Sequence, residues 1–242
     1  MTVLSVNVNK IALLRNSRGT DYPNLCDMVQ RIIGLGVKGI TVHPRPDERH
    51  ITRRDVYDIH ELLGDHDDVE FNIEGYPAPE FLRLIEDIKP AQCTLVPDEP
   101  GQLTSDHGWD AEANSGLLRP VLSRLRDSGV RSSLFLDPDP LAARKVAGLQ
   151  PDRVELYTEA YARAYGTEKE SDVWEQYRVT AATASESGIG LNAGHDLNLD
   201  NLARFLKIPG ILEVSIGHAL VVESLEQGMH QVIRQYLAIT GE

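Results

Sequence analysis

Cysteine is scarce in this chain: Cys26 and Cys93 are the only two, far apart and in no CxxC or Cys/His grouping. That excludes a disulfide framework, and two buried thiols in a reducing compartment are the plain reading. Neither HxH nor HExxH occurs, and His43 and His50 reveal no third ligand at any telling spacing, so no metal site is expected. Long apolar runs are missing too. The N-terminal stretch MTVLSVNVNKIALLR is interrupted by Lys10 and Arg15, unlike a signal peptide, and nothing later could span a bilayer. A cytoplasmic protein without membrane contact is the expectation. Positive charge is in deficit, with 24 Lys+Arg against 37 Asp+Glu and a formal net charge of −13. Such a surface repels nucleic acid and anionic membranes, although a few focused arginines would still admit small anions. No GxGxxG or GxxxxGK(S/T) follows the first strand-like run, which removes the usual nucleotide signals of an open doubly wound sheet.

What is present is a rhythm. Eight β-rich runs recur: LSVNV (4–8), GITVH (39–43), EFNIE (70–74), QCTLV (92–96), RSSLFL (131–136), RVELYT (153–158), GIGLNA (188–193) and EVSIG (213–217). Segments of helical period separate them, such as LCDMVQRIIGLG, RDVYDIHELL, PEFLRLIEDI and LLRPVLSRLRDSG. Glycines precede several strands, as expected where a helix C-cap hands over to a strand. Eight such units in 242 residues predict a (β/α)8 barrel of the TIM type, a single domain over 1–242, with an open doubly wound sheet as the alternative. Two connections are long, 97–116 after the fourth strand and 158–171 after the sixth. Both fall on the side where barrel loops serve as lids or walls, or else as subunit contacts.

Chemistry-bearing residues collect at the predicted strand ends. Strand 1 leads to Asn7, Asn9 and Lys10. Strand 2 leads to His43, Arg45, Arg49 and His50. Glu74 lies in FNIEG and Glu155 in VELYT, and a carboxylate inside a short apolar strand is costly unless paired or used. Both are candidate functional groups, with a salt bridge across the barrel mouth as the structural alternative. Gly194-His195 and Gly217-His218 follow strands 7 and 8, where barrels receive phosphate on backbone N–H groups and a helix N-terminus. Arg15, Arg18, Arg45, Arg49 and Arg53 form a local cationic group suited to phosphate. Together these residues point to acid–base chemistry on phosphorylated carbonyl compounds.

The runs VNVNKIALLRNSRGT, GITVHPRPDERHIT, FNIEG, LVPDEPGQLTSDHGWD, VELYTEAYA, LNAGHDLN and SIGHALV, spread over nearly the whole chain, resemble the pyridoxine 5′-phosphate synthase family. The resemblance implies a (β/α)8 barrel with extra helices, assembled as an octamer and needing neither organic cofactor nor metal. It implies a transferase that condenses 3-amino-2-oxopropyl phosphate with 1-deoxy-D-xylulose 5-phosphate in vitamin B6 biosynthesis. By that resemblance His43 and Glu74 are general bases, His195 is the general acid and Glu155 stabilises a transition state. Asn7, Arg18, Asp196, Gly217 and His218 hold the aminoketone phosphate. Asn9, Lys10, Arg45, His50 and Thr104 hold the deoxyxylulose phosphate, with the loop carrying Thr104 closing over the site.

Two positions depart from the family pattern. Many members carry Asp-His where this chain has Asn9-Lys10, and Gly where it has Asp196. Asn keeps hydrogen-bonding capacity without the charge, and Lys adds a cation. The carboxylate of Asp196 would repel a phosphate unless it points away or caps the next helix. Two rival readings remain open on residues alone. One is a Schiff-base aldolase or isomerase using Lys10 as nucleophile; the other is a non-catalytic barrel that binds phosphorylated metabolites.

Overall fold

The alternation of apolar and polar residues in the eight runs separates the two faces of one closed sheet. In the computed structural model, which describes residues 1–98, 102 and 105–241, the strands are β1 (Val3–Asn7), β2 (Gly39–Val42), β3 (Glu70–Gly75), β4 (Gln92–Leu95), β5 (Arg131–Leu136), β6 (Arg153–Tyr157), β7 (Gly190–Gly194) and β8 (Ile211–Ile216). All are parallel and pair in chain order. β8 returns to β1 with Val3 opposite Glu213 and Val6 opposite Ile216. This is the predicted (β/α)8 barrel. The largest boundary differences are at β7, which starts and ends later than the GIGLNA run, and β8, which starts two residues before EVSIG.

One strand face is apolar and lies under the helices: Leu4 and Val6, Ile40 and Val42, Val154 and Leu156 are among its residues, each 1% exposed or less. Each such side chain contributes roughly 1.5–3 kcal/mol by leaving water. The other face points into the barrel and is unusually polar for this fold, whose interiors are ordinarily packed with Val, Ile and Leu. Ser5, Thr41, Asn72 and Thr94 form a hydrogen-bonded chain across β1 to β4. Asn192 on β7 donates to Gln92 Oε1 on β4 at 3.1 Å. These strands are not neighbours, so that bond crosses the lumen. Below it Glu213 meets Arg153 at 3.1 Å, and Arg131 grips Glu70.

The helices are α1 (Asn9–Asn16), α2 (Leu25–Ile33), α3 (Arg53–Leu63), α4 (Pro79–Ile88), α5 (Ser115–Asp127), α6 (Pro140–Ala147), α7 (Glu159–Ala164), α8 (Glu170–Glu186), α9 (Leu202–Phe205), α10 (His218–Gln227) and α11 (Met229–Thr240). Local sequence explains the starts. Asn24 accepts from the Asp27 N–H ahead of α2, and Thr52 with Asp55 forms a reciprocal capping box ahead of α3. Gly129 and Gly188, at φ +74° and +77°, turn the chain from α5 and α8 toward the next strands. Helices α1, α7 and α11 exceed one per strand, the extra helices expected. The N-terminal alternation was only half strand: from Asn9 the chain is helical, and the long 158–171 connection contains α7.

Candidate active site

His43, Glu74, Glu155 and His195 come from β2, β3, β6 and β7, and the barrel gathers them at the C-terminal strand ends. His43 and Glu74 are buried, with Nδ1 3.8 Å from Oε2. Asn7, the last residue of β1, donates to the same Glu74 oxygen at 3.4 Å. Its own Oδ1 accepts the Asn9 N–H at 3.1 Å. Asn9 in turn accepts the backbone N–H of His43 at 2.9 Å. The first strand end thus braces both groups of the second and third.

Glu155 is 3% exposed, and its carboxylate turns toward β7. A Cβ on Gly194 would fall 2.3 Å from Glu155 Oε1, so only glycine admits the carboxylate there. The imidazole of His195 packs against two aromatic rings that also touch each other, 5.2 Å from Phe135 and 5.1 Å from Tyr157 between centroids. His195 and Asp196 both have positive φ, +85° and +57°. Each left-handed non-glycine residue costs on the order of 1 kcal/mol. That geometry explains the departure at 196. The position requires a left-handed backbone, glycine meets it freely, and Asp is among the few residues that tolerate it. The Asp196 side chain is exposed.

Burial sets the proton affinities. His43 is pushed well below the ordinary histidine value by burial first, then by Arg45, His50 and His195. His50 is lowered to about 4, again by burial and then by Arg45, Arg49 and Lys10. The carboxyls move the other way. Burial raises Glu74, and Asp98 and Glu213 raise it further. Burial and the charges of Glu74 and Glu213 hold Glu155 well above the carboxylate range, against a Thr94 hydrogen bond. His195 is lowered by burial, with Asp196 and Asp98 opposing. Near neutral pH the imidazoles are therefore uncharged, and burial favours the protonated form of the carboxyls.

The expected binding residues divide. Arg45 is buried, paired to Asp98, and donates to the Gln102 carbonyl at 3.0 Å. His50 accepts the Ile51 N–H on Nδ1 at 2.9 Å, leaving its proton on Nε2 when neutral. Gly217 abuts Asn7, and a Cβ there would lie 3.1 Å from the Asn7 Cβ. His218 opens α10, whose first turn has no side-chain cap, and is exposed. Lys10 and Arg18 are exposed on and just beyond α1. Thr104 lies outside the described residues.

The expected cationic group is not a free one. Arg15 holds both Asp55 oxygens at 2.5 and 2.8 Å, which ties α1 to α3. Arg49 pairs with Asp47 at 2.7 Å. In so acidic a chain, Arg15, Arg45, Arg49 and Arg53 of this group each meet a carboxylate. A cavity of about 760 Å³ adjoins this region, lined by segments that follow β2, β3 and β4, including His43, Arg45, Tyr76, Asp98, His107 and Trp109. Among the described residues no three His, Cys, Asp or Glu side chains form a group able to hold a metal, and no helix is long and apolar enough to cross a membrane.

A family model described as "Pyridoxal phosphate biosynthesis protein PdxJ" matches residues 4–242. The chain belongs to this family. A pyridoxine 5′-phosphate synthase of Bacteroides thetaiotaomicron is 52% identical over 237 residues, 98% of each chain. One of Brucella anthropi is 46% identical over 241 residues, 97% of each. Among solved structures, a mutant tryptophan synthase alpha-subunit from Pyrococcus furiosus superposes with a TM-score of 0.67 at 12% identity, covering 100% of this chain and 98% of that one. Phosphoribosyl anthranilate isomerase from Thermus thermophilus gives 0.62 at 13%, covering 99% of this chain and 98% of that one. These two likenesses concern the barrel alone.

In this PdxJ-family chain, three residues around the site are not evident from the sequence. Glu213 is a third buried carboxylate, and Asp98 is the buried partner of Arg45. Thr158 is fully buried beside Gly194 and His195. Only Glu213 carries a signal in the sequence, a charge within an apolar strand, and the EVSIG run hides it by starting at that residue, two residues after β8 begins.

Proposed function

We propose that this protein is a pyridoxine 5′-phosphate synthase, a transferase that condenses 3-amino-2-oxopropyl phosphate with 1-deoxy-D-xylulose 5-phosphate. The products are pyridoxine 5′-phosphate, inorganic phosphate and water. One observation carries the reading: four side chains able to move protons come from four strands to one barrel mouth, and His43 among them lines a cavity sized for small phosphorylated compounds. Membership of the PdxJ family and the names of its relatives point the same way.

The chemistry demands such a set. An amine adds to a ketone, water and phosphate leave, and the ring closes and aromatises, each step moving a proton at carbon, nitrogen or oxygen. Neutral His43 is ready to accept a proton, and Glu74 beside it takes the second base role once ionised. Glu155 faces cationic intermediates, gives up its proton as positive charge develops beside it, and then stabilises that charge. His195 is the proton donor. Two phosphates entering the site add negative charge, which raises its imidazole back toward the ordinary value. Arg45, His50, Asn9, Lys10 and Thr104 receive deoxyxylulose phosphate. Asn7, Arg18, Gly217, His218 and the backbone at Asp196, whose carboxylate turns to solvent, receive the aminoketone phosphate, with the open first turn of α10 as anion site. Closure of the loop bearing Thr104 belongs to the same proposal, and the reading calls for neither cofactor nor metal. Exposed Lys10 lacks the desolvation that activates an amine nucleophile, which counts against the Schiff-base alternative.

We further infer a cytoplasmic enzyme, one catalytic domain over the 242 residues, that does not bind nucleic acid and assembles with copies of itself into an octamer. Exposed Leu13 and Leu14 on α1 and Val222 and Leu225 on the adjoining α10 support self-association. Incubation of purified protein with both phosphorylated substrates should yield pyridoxine phosphate and free phosphate. No product from well-folded protein would overturn the reading.

A further inference from the structure

In an extended strand successive carbonyls point to opposite sides, so no single hydroxyl can reach two in a row. At the end of β7 one does. The Thr158 N–H donates to the Gly194 carbonyl at 2.9 Å. The Thr158 hydroxyl lies 2.6 Å from that carbonyl and also against the carbonyl of His195. Sharing one donor between consecutive carbonyls requires the chain to turn out of the strand, and the turn is the left-handed backbone at His195 and Asp196. Asn201 closes the far side by donating Nδ2 to the Asp196 carbonyl at 3.1 Å. Thr158 is β-branched, so its side chain has little rotameric freedom to release the contact. It follows Tyr157, whose ring bounds one side of the His195 imidazole.

We propose that Thr158 is a positioning residue for the reaction: its hydroxyl, by gathering the Gly194 and His195 carbonyls, aims the His195 imidazole at the reacting atoms. Thr158 is completely buried and cannot touch a substrate. It acts through His195, so the proposal rests on the reading of His195 as proton donor.

The test is steady-state kinetics of Thr158→Val, Thr158→Ala and Thr158→Ser, with circular dichroism confirming folded protein at the assay temperature. Val keeps the shape without the hydroxyl, Ala covers the case in which Val does not fold, and Ser restores the hydroxyl. Val and Ala should lower kcat about tenfold or more while KM for both substrates stays within about twofold, the signature of a misaimed group rather than weakened binding. Ser should stay within about threefold of the parent. A Val or Ala variant with unchanged kcat overturns the proposal, even if its thermal midpoint falls, as does a Ser variant that loses as much as Ala. His195→Gln separates the two readings. A loss of roughly a hundredfold there, with unchanged Val or Ala variants, sinks only the role of Thr158. Normal turnover in His195→Gln sinks the role of His195 itself.

Discussion

His43 Nδ1 and Glu74 Oε2 lie 3.8 Å apart, both side chains buried on neighbouring strands. Burial lowers the first and raises the second in proton affinity, so both are held uncharged near neutral pH, and in the proposed roles of bases each has to change charge. His43→Ala and Glu74→Gln should each reduce turnover by roughly 10²-fold or more, as for a lost acid–base group. If the two work as a unit, the double variant should be scarcely slower than the worse single one. Losses that multiply in steady-state assays would show independent roles.

Much of this arrangement was legible in the sequence. The outward strand faces are apolar and β-rich, so the eight strands announced themselves, and charges inside them drew notice to Glu74 and Glu155. What stayed hidden depends on distance. Nothing at Arg15 or Arg45 tells that a carboxylate 40 or 53 residues away already occupies it. A threonine gives no sign that its hydroxyl will shape a backbone 37 residues later. The polar lumen was hidden in plain view, since Ser, Thr and Asn in short strands pass as ordinary alternation until the barrel closes around them.

Asn9 shows how such contacts reassign a residue. Its Oδ1 accepts the His43 backbone N–H, so a residue expected to hold substrate also holds the proposed base. Asn9→Ala should reduce kcat/KM about five- to tenfold, from a hydrogen bond worth about 1 kcal/mol. Asn9→Asp keeps an acceptor at that place and should recover most of the loss. Were the Asp variant as slow as the Ala variant, with KM for deoxyxylulose phosphate raised, the substrate contact would be the dominant role.

Glu213 gives a pH dependence of stability that runs against the usual acid denaturation. Buried beside Arg153 and Gln92, it is raised by burial to about 7 from 4.5. The folded state therefore binds a proton that the unfolded chain has released throughout that window, and stability falls as pH rises through it. The full drop is roughly 3 kcal/mol at about 1.4 kcal/mol per unit. Glu74 and Glu155 slope in the same direction, while His43, His50 and His195, held below the ordinary histidine value, slope against it up to about pH 6.5. Glu70, held below its ordinary value by Arg131, makes its contribution at lower pH, outside the window. Glu213→Gln cannot titrate, and its side chain still faces Arg153, which keeps its 3.0 Å bond to Asn192 Oδ1. The Tm of this variant relative to the parent should accordingly rise steadily from about pH 5 to 7.5, whatever the slope the remaining groups impose on both. Parallel Tm curves for the two proteins would show that Glu213 carries the same charge folded and unfolded.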